Sequence, residues 1–175
     1  KRLKHKNVYP LNGVPMIEYT INAALKSKYI NHNNLYVNTD FDKVIDIAKK
    51  RNIQVIERPP HLAGDKVWTQ PVINHTDDEL GGLDDEDIIV ILQANSPQIT
   101  TEKIDECIDM LINNDLFEVH TIDSTMINNG AIQVIKRKVR NIKGKVCYNG
   151  VVMADWVDVH TIEDINKIGD LWKQQ

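Results

Sequence analysis

Cysteine is scarce. The 175-residue chain has two, Cys107 and Cys147, too few and too far apart for a disulfide framework or a zinc knuckle. Positive charge is in slight deficit. Its 21 Lys and Arg against 25 Asp and Glu leave a net charge of −4, which argues against a nucleic-acid binder. Long apolar runs are missing too. The longest, Ile88-Ile89-Val90-Ile91-Leu92, is far too short to span a bilayer. No basic-then-apolar leader precedes it, so no secretory signal is expected. With 8 Gly and 6 Pro, collagen-like and low-complexity chains are excluded. What is present is ordinary globular material, 42% hydrophobic and 26% charged. It is enough to bury one core. The expectation is a soluble, cytoplasmic, single-domain protein.

Apolar periodicity predicts alternating helices and strands. Ile17, Ile21, Ala24 and Leu25 recur at helical spacing behind Pro15, which suits a first helical turn. Leu35-Tyr36-Val37 reads as a strand opening into Asn38-Thr39-Asp40. Val44, Ile45 and Ala48, ending in Lys49-Lys50-Arg51, predict a second helix with cations in its last turn. Gln54-Val55-Ile56 is a short strand stopped by Pro59-Pro60. Residues 66–76 can be helical if Pro71 lies near the start. Seven carboxylates from Asp77 to Asp87 surround Gly81-Gly82 and read as a solvated loop, lacking the regular oxygen spacing of a Ca²⁺ loop. Residues 88–92, apolar on both faces, are expected in the interior of a parallel sheet covered by helices. A helix follows, with Thr100 or Thr101 as N-cap and Ile104, Ile108 and Leu111 on one face. Cys107 beside that stripe reads as a small core residue. Strands at 119–122, 131–135 and 151–153 and a last helix capped by Thr161 complete the pattern. Alternation of this kind predicts an α/β layered fold with a mostly parallel sheet and ligands beyond the carboxyl ends of its strands. Such a sheet ordinarily has a strand before its first helix, and none precedes it here.

Three segments could carry chemistry. Residues 1–7, Lys-Arg-Leu-Lys-His-Lys-Asn, are either a solvated tail or a loop cradling an anion such as a triphosphate. Gln93-Ala94-Asn95-Ser96-Pro97 follows the most apolar strand. Its amides and hydroxyl suit a sugar or a base, or simply form a polar turn. Asp158 and His160 share a face if residues 156–160 are extended. They could hold a metal, or the carboxylate could orient the imidazole, or both could be surface residues.

Taken together, these pieces resemble the acylneuraminate cytidylyltransferase family, which makes CMP-activated sialic acids and related nonulosonic acids. Lys1, Lys6 and Asn7 stand at the spacing of the family's Lys-x-x-x-x-Lys-Asn nucleotide loop. Residues 10–17, Pro-Leu-Asn-Gly-Val-Pro-Met-Ile, resemble its Leu-Asn-Gly-x-Pro-Leu-Ile segment. Asn38-Thr39-Asp40 resembles Ser-Thr-Asp. Residues 58–65, from Arg58-Pro59 to Gly64-Asp65, match Arg-Pro-x-x-Leu-Ala-x-Asp. Residues 92–97 resemble Leu-Gln-Pro-Thr-Ser-Pro, Asn129-Gly130-Ala131-Ile132 matches Asn-Gly-Ala-Ile, and Asp158-Val159-His160-Thr161 resembles the metal motif Asp-Ile-Asp-Thr.

The resemblance implies a three-layer Rossmann-like nucleotidyltransferase fold spanning 1–175 as one domain. It implies CTP at the carboxyl edge, attack of a sugar hydroxyl on the α-phosphate, and pyrophosphate as leaving group. Lys1, Lys6, Asn7 and Arg58 are then nucleotide ligands, and Gln93, Asn95, Ser96 and Asn129 sugar contacts. Lys6 and Asp158 would be catalytic, and Asp158 with His160 would hold Mg²⁺ or Mn²⁺. A homodimer follows from the same resemblance. Three departures stand out: the first strand and the start of the nucleotide loop are lacking, the arm near 113–128 is short, and His160 replaces an aspartate. They keep open a non-catalytic binding paralogue, as well as a sugar-1-phosphate transferase of the same fold.

Overall fold

A computed structural model describes residues 3–64, 67–141 and 148–173. Lys1 of the nucleotide loop and Asp65 of the Arg-Pro signature lie outside the described residues. The chain opens with a hairpin of β1 (Pro10–Leu11) and β2 (Val14–Pro15). Its two-residue loop, Asn12 at φ 50° and Gly13 at φ 81°, needs left-handed backbone at both positions, the turn that Asn-Gly favours. Next come α1 (Met16–Leu25), β3 (Tyr36–Thr39), α2 (Asp42–Lys50), β4 (Gln54–Glu57) and α3 (Thr69–Leu80). The second half holds β5 (Ile88–Leu92), α4 (Thr101–Asn113), β6 (Glu118–Ile122), β7 (Asn128–Lys136), β8 (Asn149–Met153) and α5 (Ile162–Lys173). Among the described residues no helix is long and apolar enough to cross a membrane.

The sheet is mixed, which corrects the mostly parallel expectation. β3 pairs with β4 in parallel. A second sheet runs β5-β7-β6-β8, antiparallel at β5–β7 and β6–β7 and parallel at β6–β8. The reason lies in residues 123–127. A parallel crossover needs a dozen or more residues, and this link is a tight turn. Asp123 Oδ1 accepts from the Thr125 and Ile127 amides at 2.8 and 3.1 Å. Gly130, at φ 68°, accompanies a register shift between His120 and Ile122, where β7 bends. The position of β5 is corrected as well. Among the described residues it hydrogen-bonds only β7, at one end of its sheet, and all five of its residues are half-buried.

Three apolar clusters hold the layers together. Ile104, Cys107, Ile108 and Leu111 of α4 pack on Val119, Ile132, Val134 and Val152. Ile17 and Ile21 of α1 pack on Val44 and Ala48 of α2. Leu11 and Met16 meet Val159 and Ile168 at the foot of α5. Ile88, Val90 and Leu92 of β5 join the α4 cluster, so Ile89 and Ile91 face the other way. α3 starts two residues before Pro71, so the missing proline N–H falls in the unbonded first turn. The helix runs on to Leu80, which takes Asp77–Leu80 out of the expected loop.

Thr100 caps α4 by accepting from the Lys103 amide at 3.3 Å. Burial pushes the Cys107 thiol up to about 12. Raised above its unfolded value, the thiol contributes stability below pH ~9 that is lost as pH rises toward 12. Native Cys107 is expected to resist iodoacetamide at pH 8 while the unfolded chain alkylates, as peptide mass spectrometry would show.

Candidate functional site

The loops after β3, β4 and β5 converge with residues 3–7 on one cavity of about 910 Å³. Asn38 is its hub. The Arg58 guanidinium donates from Nε to Asn38 Oδ1 at 2.9 Å and from Nη2 to the Asn38 carbonyl at 2.7 Å. Asn38 Nδ2 in turn donates to Thr76 Oγ1 of α3 at 2.9 Å. The Arg58 amide also donates to the Thr39 carbonyl at 2.9 Å, so parallel pairing of β3 and β4 continues into the site. Burial pushes the Arg58 guanidinium down from its ordinary value, and the Asp40 carboxylate opposes that. Arg58 also lines a smaller adjoining cavity of about 340 Å³ with Asp40 and Asp42.

A second group gathers at the mouth. Asn95 Nδ2 donates to Asp158 Oδ1 and to the Val159 carbonyl at 3.2 Å. Asp158 Oδ2 lies 2.7 Å from His160 Nε2, and Lys6 Nζ lies 3.5 Å from His160 Nδ1. These partners assign the Nε2–H tautomer: the ring donates to Asp158 and accepts from Lys6. The imidazole thus bridges a carboxylate and a cation.

The start of α5 fixes His160. Asp164 Oδ2 accepts from the His160 and Thr161 amides at 3.0 and 2.8 Å, and the Asp164 amide donates back to Thr161 Oγ1 at 3.3 Å. This is a reciprocal capping box, with Thr161 as the expected cap. Burial opposes ionisation of Asp164, but the amide donors from His160 and Thr161 outweigh it and hold the group below its ordinary value. The Leu3 amide donates to the His160 carbonyl at 2.7 Å, which ties the basic loop to the same residue.

Of the residues expected in the site, Lys6, Asn7, Arg58, Gln93 and Asn95 line the large cavity. Asp158 and His160 reach it through Asn95 and Lys6. Asn7 Oδ1 is buried and has no hydrogen-bond partner among the described residues, an acceptor open to a ligand's donor. Two expected sugar contacts stand elsewhere. Ser96 is buried in the turn below β5, off the cavity wall. Asn129 spends its amide inside the sheet, accepting from Thr121 Oγ1 at 2.6 Å and donating to the Ala154 carbonyl at 2.7 Å.

One charged cluster escaped the sequence reading. Asp77 is 2% exposed and lines the cavity. It takes Arg137 in bidentate fashion, at 2.6 and 3.1 Å, and also pairs with Arg140. Asp77 raises the Arg137 guanidinium above its ordinary value. The signal was available: Asp77 sits four residues after Ile73 and three before Leu80, on the apolar face of α3.

Among the described residues no three His, Cys, Asp or Glu side chains group as a metal site. Mg²⁺ with a bound triphosphate needs only one or two protein carboxylates. Asp158, with a side chain 39% exposed, fits that requirement, whereas His160 Nε2 is turned onto Asp158 itself.

Fold and site define a class: an α/β protein with a cation-bearing cleft at a sheet edge, suited to a phosphorylated ligand. The sequence pattern of the cytidylyltransferase family matches residues 1–168. The chain belongs to the cytidylyltransferase family. It is 31% identical over 119 residues to an N-acylneuraminate cytidylyltransferase of Streptococcus agalactiae, covering 68% of this chain and 28% of that enzyme. It is 29% identical over 138 residues to an 8-amino-3,8-dideoxy-manno-octulosonate cytidylyltransferase of Shewanella frigidimarina, covering 79% of this chain and 51% of that enzyme. The match thus spans about half or less of either relative. A solved CMP:2-keto-3-deoxy-manno-octonic acid synthetase complexed with CTP superposes with a TM-score of 0.76 at 14% identity, covering 99% of this chain and 94% of that one. That likeness shows the nucleotidyltransferase-like fold.

Proposed function

We propose that the protein is a cytidylyltransferase that activates a nonulosonic, sialic-acid-like sugar with CTP, giving the CMP-sugar and pyrophosphate. The observation that carries this reading is the convergence of Lys6, Asn7, Arg58, Gln93 and Asn95 on one cavity, with Asp158 beside it. The family match adds its support.

Lys6, from the basic loop, neutralises phosphate oxygens as negative charge develops on the pyrophosphate. Lys1 would add to it. The open Asn7 acceptor suits an N–H or O–H of the nucleoside. Arg58, held by Asn38, supplies a fixed cation, while Gln93 and Asn95 are the proposed sugar contacts. The sugar hydroxyl attacks the α-phosphorus, its proton leaves to solvent, and the bond to the β-phosphate oxygen breaks. Mg²⁺ or Mn²⁺, when bound, would supply charge stabilisation; Asp158 would hold it, and His160 would join only with its ring turned off Asp158.

Pyrophosphate release with CTP and a panel of 2-keto sugar acids tests the reading. Saturable release with one acid is expected. CTP binding without turnover on any acid would favour a non-catalytic paralogue, and turnover only on a hexose 1-phosphate would overturn the substrate class. Imidazole suits Mn²⁺ better than Mg²⁺. His160→Asp is therefore expected to shift the Mn²⁺-to-Mg²⁺ rate ratio toward Mg²⁺, and an unchanged ratio would make the imidazole a bystander to the metal.

A homodimer is proposed as well. Met126 and Ile127, 67% and 63% exposed, offer apolar surface at the β6–β7 turn. Replacing Met126 and Ile127 together by aspartate is expected to lower the dimer fraction in sedimentation, and no change would place association elsewhere.

A further inference from the structure

Arg58 is held by one edge only. A guanidinium carries five N–H donors in a planar fork. Arg58 gives the edge made by Nε and Nη2 to Asn38, at 2.9 Å to Oδ1 and 2.7 Å to the carbonyl. The far end keeps an N–H on each Nη nitrogen, with no hydrogen-bond partner among the described residues. Such an end takes a phosphate or carboxylate in bidentate fashion. Its direction is set by Asn38.

Asn38 is fixed in turn from α3. Its side-chain amide offers one acceptor oxygen and two N–H groups. Oδ1 serves Arg58. Nδ2 donates to Thr76 Oγ1 at 2.9 Å and meets His75 Nδ1 at 3.1 Å. Thr76 donates its single hydroxyl proton to the Val72 carbonyl at 2.9 Å, so toward Asn38 it accepts. His75 Nδ1 then accepts as well, which puts the ring proton on Nε2. The Glu79 carboxylate, 3.9 Å from Nε2, favours the proton there. Turning the Asn38 amide over would set Nδ2 against the Arg58 donors and Oδ1 against two acceptors. A hydroxyl can reverse its role by rotating its proton, whereas an imidazole nitrogen without a proton only accepts. Thr76 alone would therefore hold the amide loosely.

We propose that His75 is a positioning residue for Arg58. Acting through Asn38, it fixes the plane and direction of the guanidinium, so that the open end is ready for an anionic group. Asn38, Arg58 and Thr76 line the large cavity, and His75 does not; it acts from behind the wall. This deepens the reading of Arg58 as a nucleotide ligand and rests on it for the CTP measurement alone.

Two substitutions separate the ring nitrogen from the bulk of the ring. His75→Leu removes the acceptor. His75→Asn keeps one, because its Oδ1 stands as many bonds from Cα as Nδ1 does. In nitrogen-15 NMR of the free protein, the Arg58 Nε–H signal is identified by its loss in Arg58→Lys. Its exchange with water is expected to be about tenfold faster in His75→Leu and to keep the parent rate in His75→Asn. CTP titration is expected to show about 3- to 10-fold weaker binding in His75→Leu, the range of one neutral hydrogen bond, and near-parent binding in His75→Asn. With Arg58→Ala already in place, His75→Leu is expected to weaken binding no further, as for two residues acting through one contact. Unchanged Nε–H exchange in His75→Leu would overturn the proposal, as would the same loss of affinity with and without Arg58. Matching behaviour of His75→Leu and His75→Asn would reduce the histidine to a space-filler. If exchange responds as expected while Arg58→Ala binds CTP as the parent does, the relay stands and Arg58 as a nucleotide ligand fails, so the two failures are distinguishable.

Discussion

Asp77→Ala is expected to cost about 3 kcal/mol of stability, read as a lower denaturant midpoint with little change in slope. Asp77 is shut in, with a side chain 1% exposed, whereas Arg137 and Arg140 keep 20% and 16% of theirs. Removing the carboxylate leaves two guanidinium groups facing each other with their common partner gone. Arg140 Nε is already buried without a partner among the described residues. Arg137 keeps its 2.6 Å bond to the Leu83 carbonyl, so it cannot swing out without a further loss. A domain holds only ~5–15 kcal/mol in all, so this one substitution takes a large share. Asp77→Asn keeps the shape and some hydrogen bonding and is expected to fall between the two. A loss below about 1 kcal/mol would mean that both arginines relax into water.

Lys6→Ala is expected to weaken CTP binding by about 10- to 100-fold, the range of a hydrogen bond between charged groups, while the fold is retained. Lys6 stands at the cavity wall with its ammonium group 3.5 Å from His160 Nδ1. It is a compact cation already placed at the mouth. Titration calorimetry measures the change, and equal affinity would remove Lys6 from the nucleotide site. Raised salt should narrow the difference between parent and variant, because the contact is electrostatic and partly exposed.

Helices were the most legible part of the fold. Thr100 and Thr161 cap as their sequence contexts demand, and Pro71 marks the beginning of α3 and does not break it. Strand direction was less legible. An unbroken run such as residues 88–92 fits a parallel strand and an antiparallel one equally, and only the short link 123–127 contained the answer. In the site, residues close in sequence to a strand end, such as Asn38 and Gln93, were readable as a group. Asn129 was misplaced because a side-chain amide serves a ligand or a strand backbone with the same atoms. The Asp77 cluster draws on residues 60 and more apart in sequence, a distance over which residue spacing carries no message.

The meeting of Leu3 with His160 has a consequence for how the protein opens. Leu3, Tyr9, Leu11, Met16 and Tyr19 from the beginning of the chain pack with Val159, Ile165, Ile168 and Trp172 from α5, and the capping box seats the second group beside the first. Two stretches more than a hundred residues apart thus share one cooperative unit of local unfolding. When α5 lifts, the loop carrying Lys6 is released with it. Slow exchange at the amides of residues 163–170 and at that of Met16 should then fade together, at a free energy below that of global unfolding, while α4 stays protected.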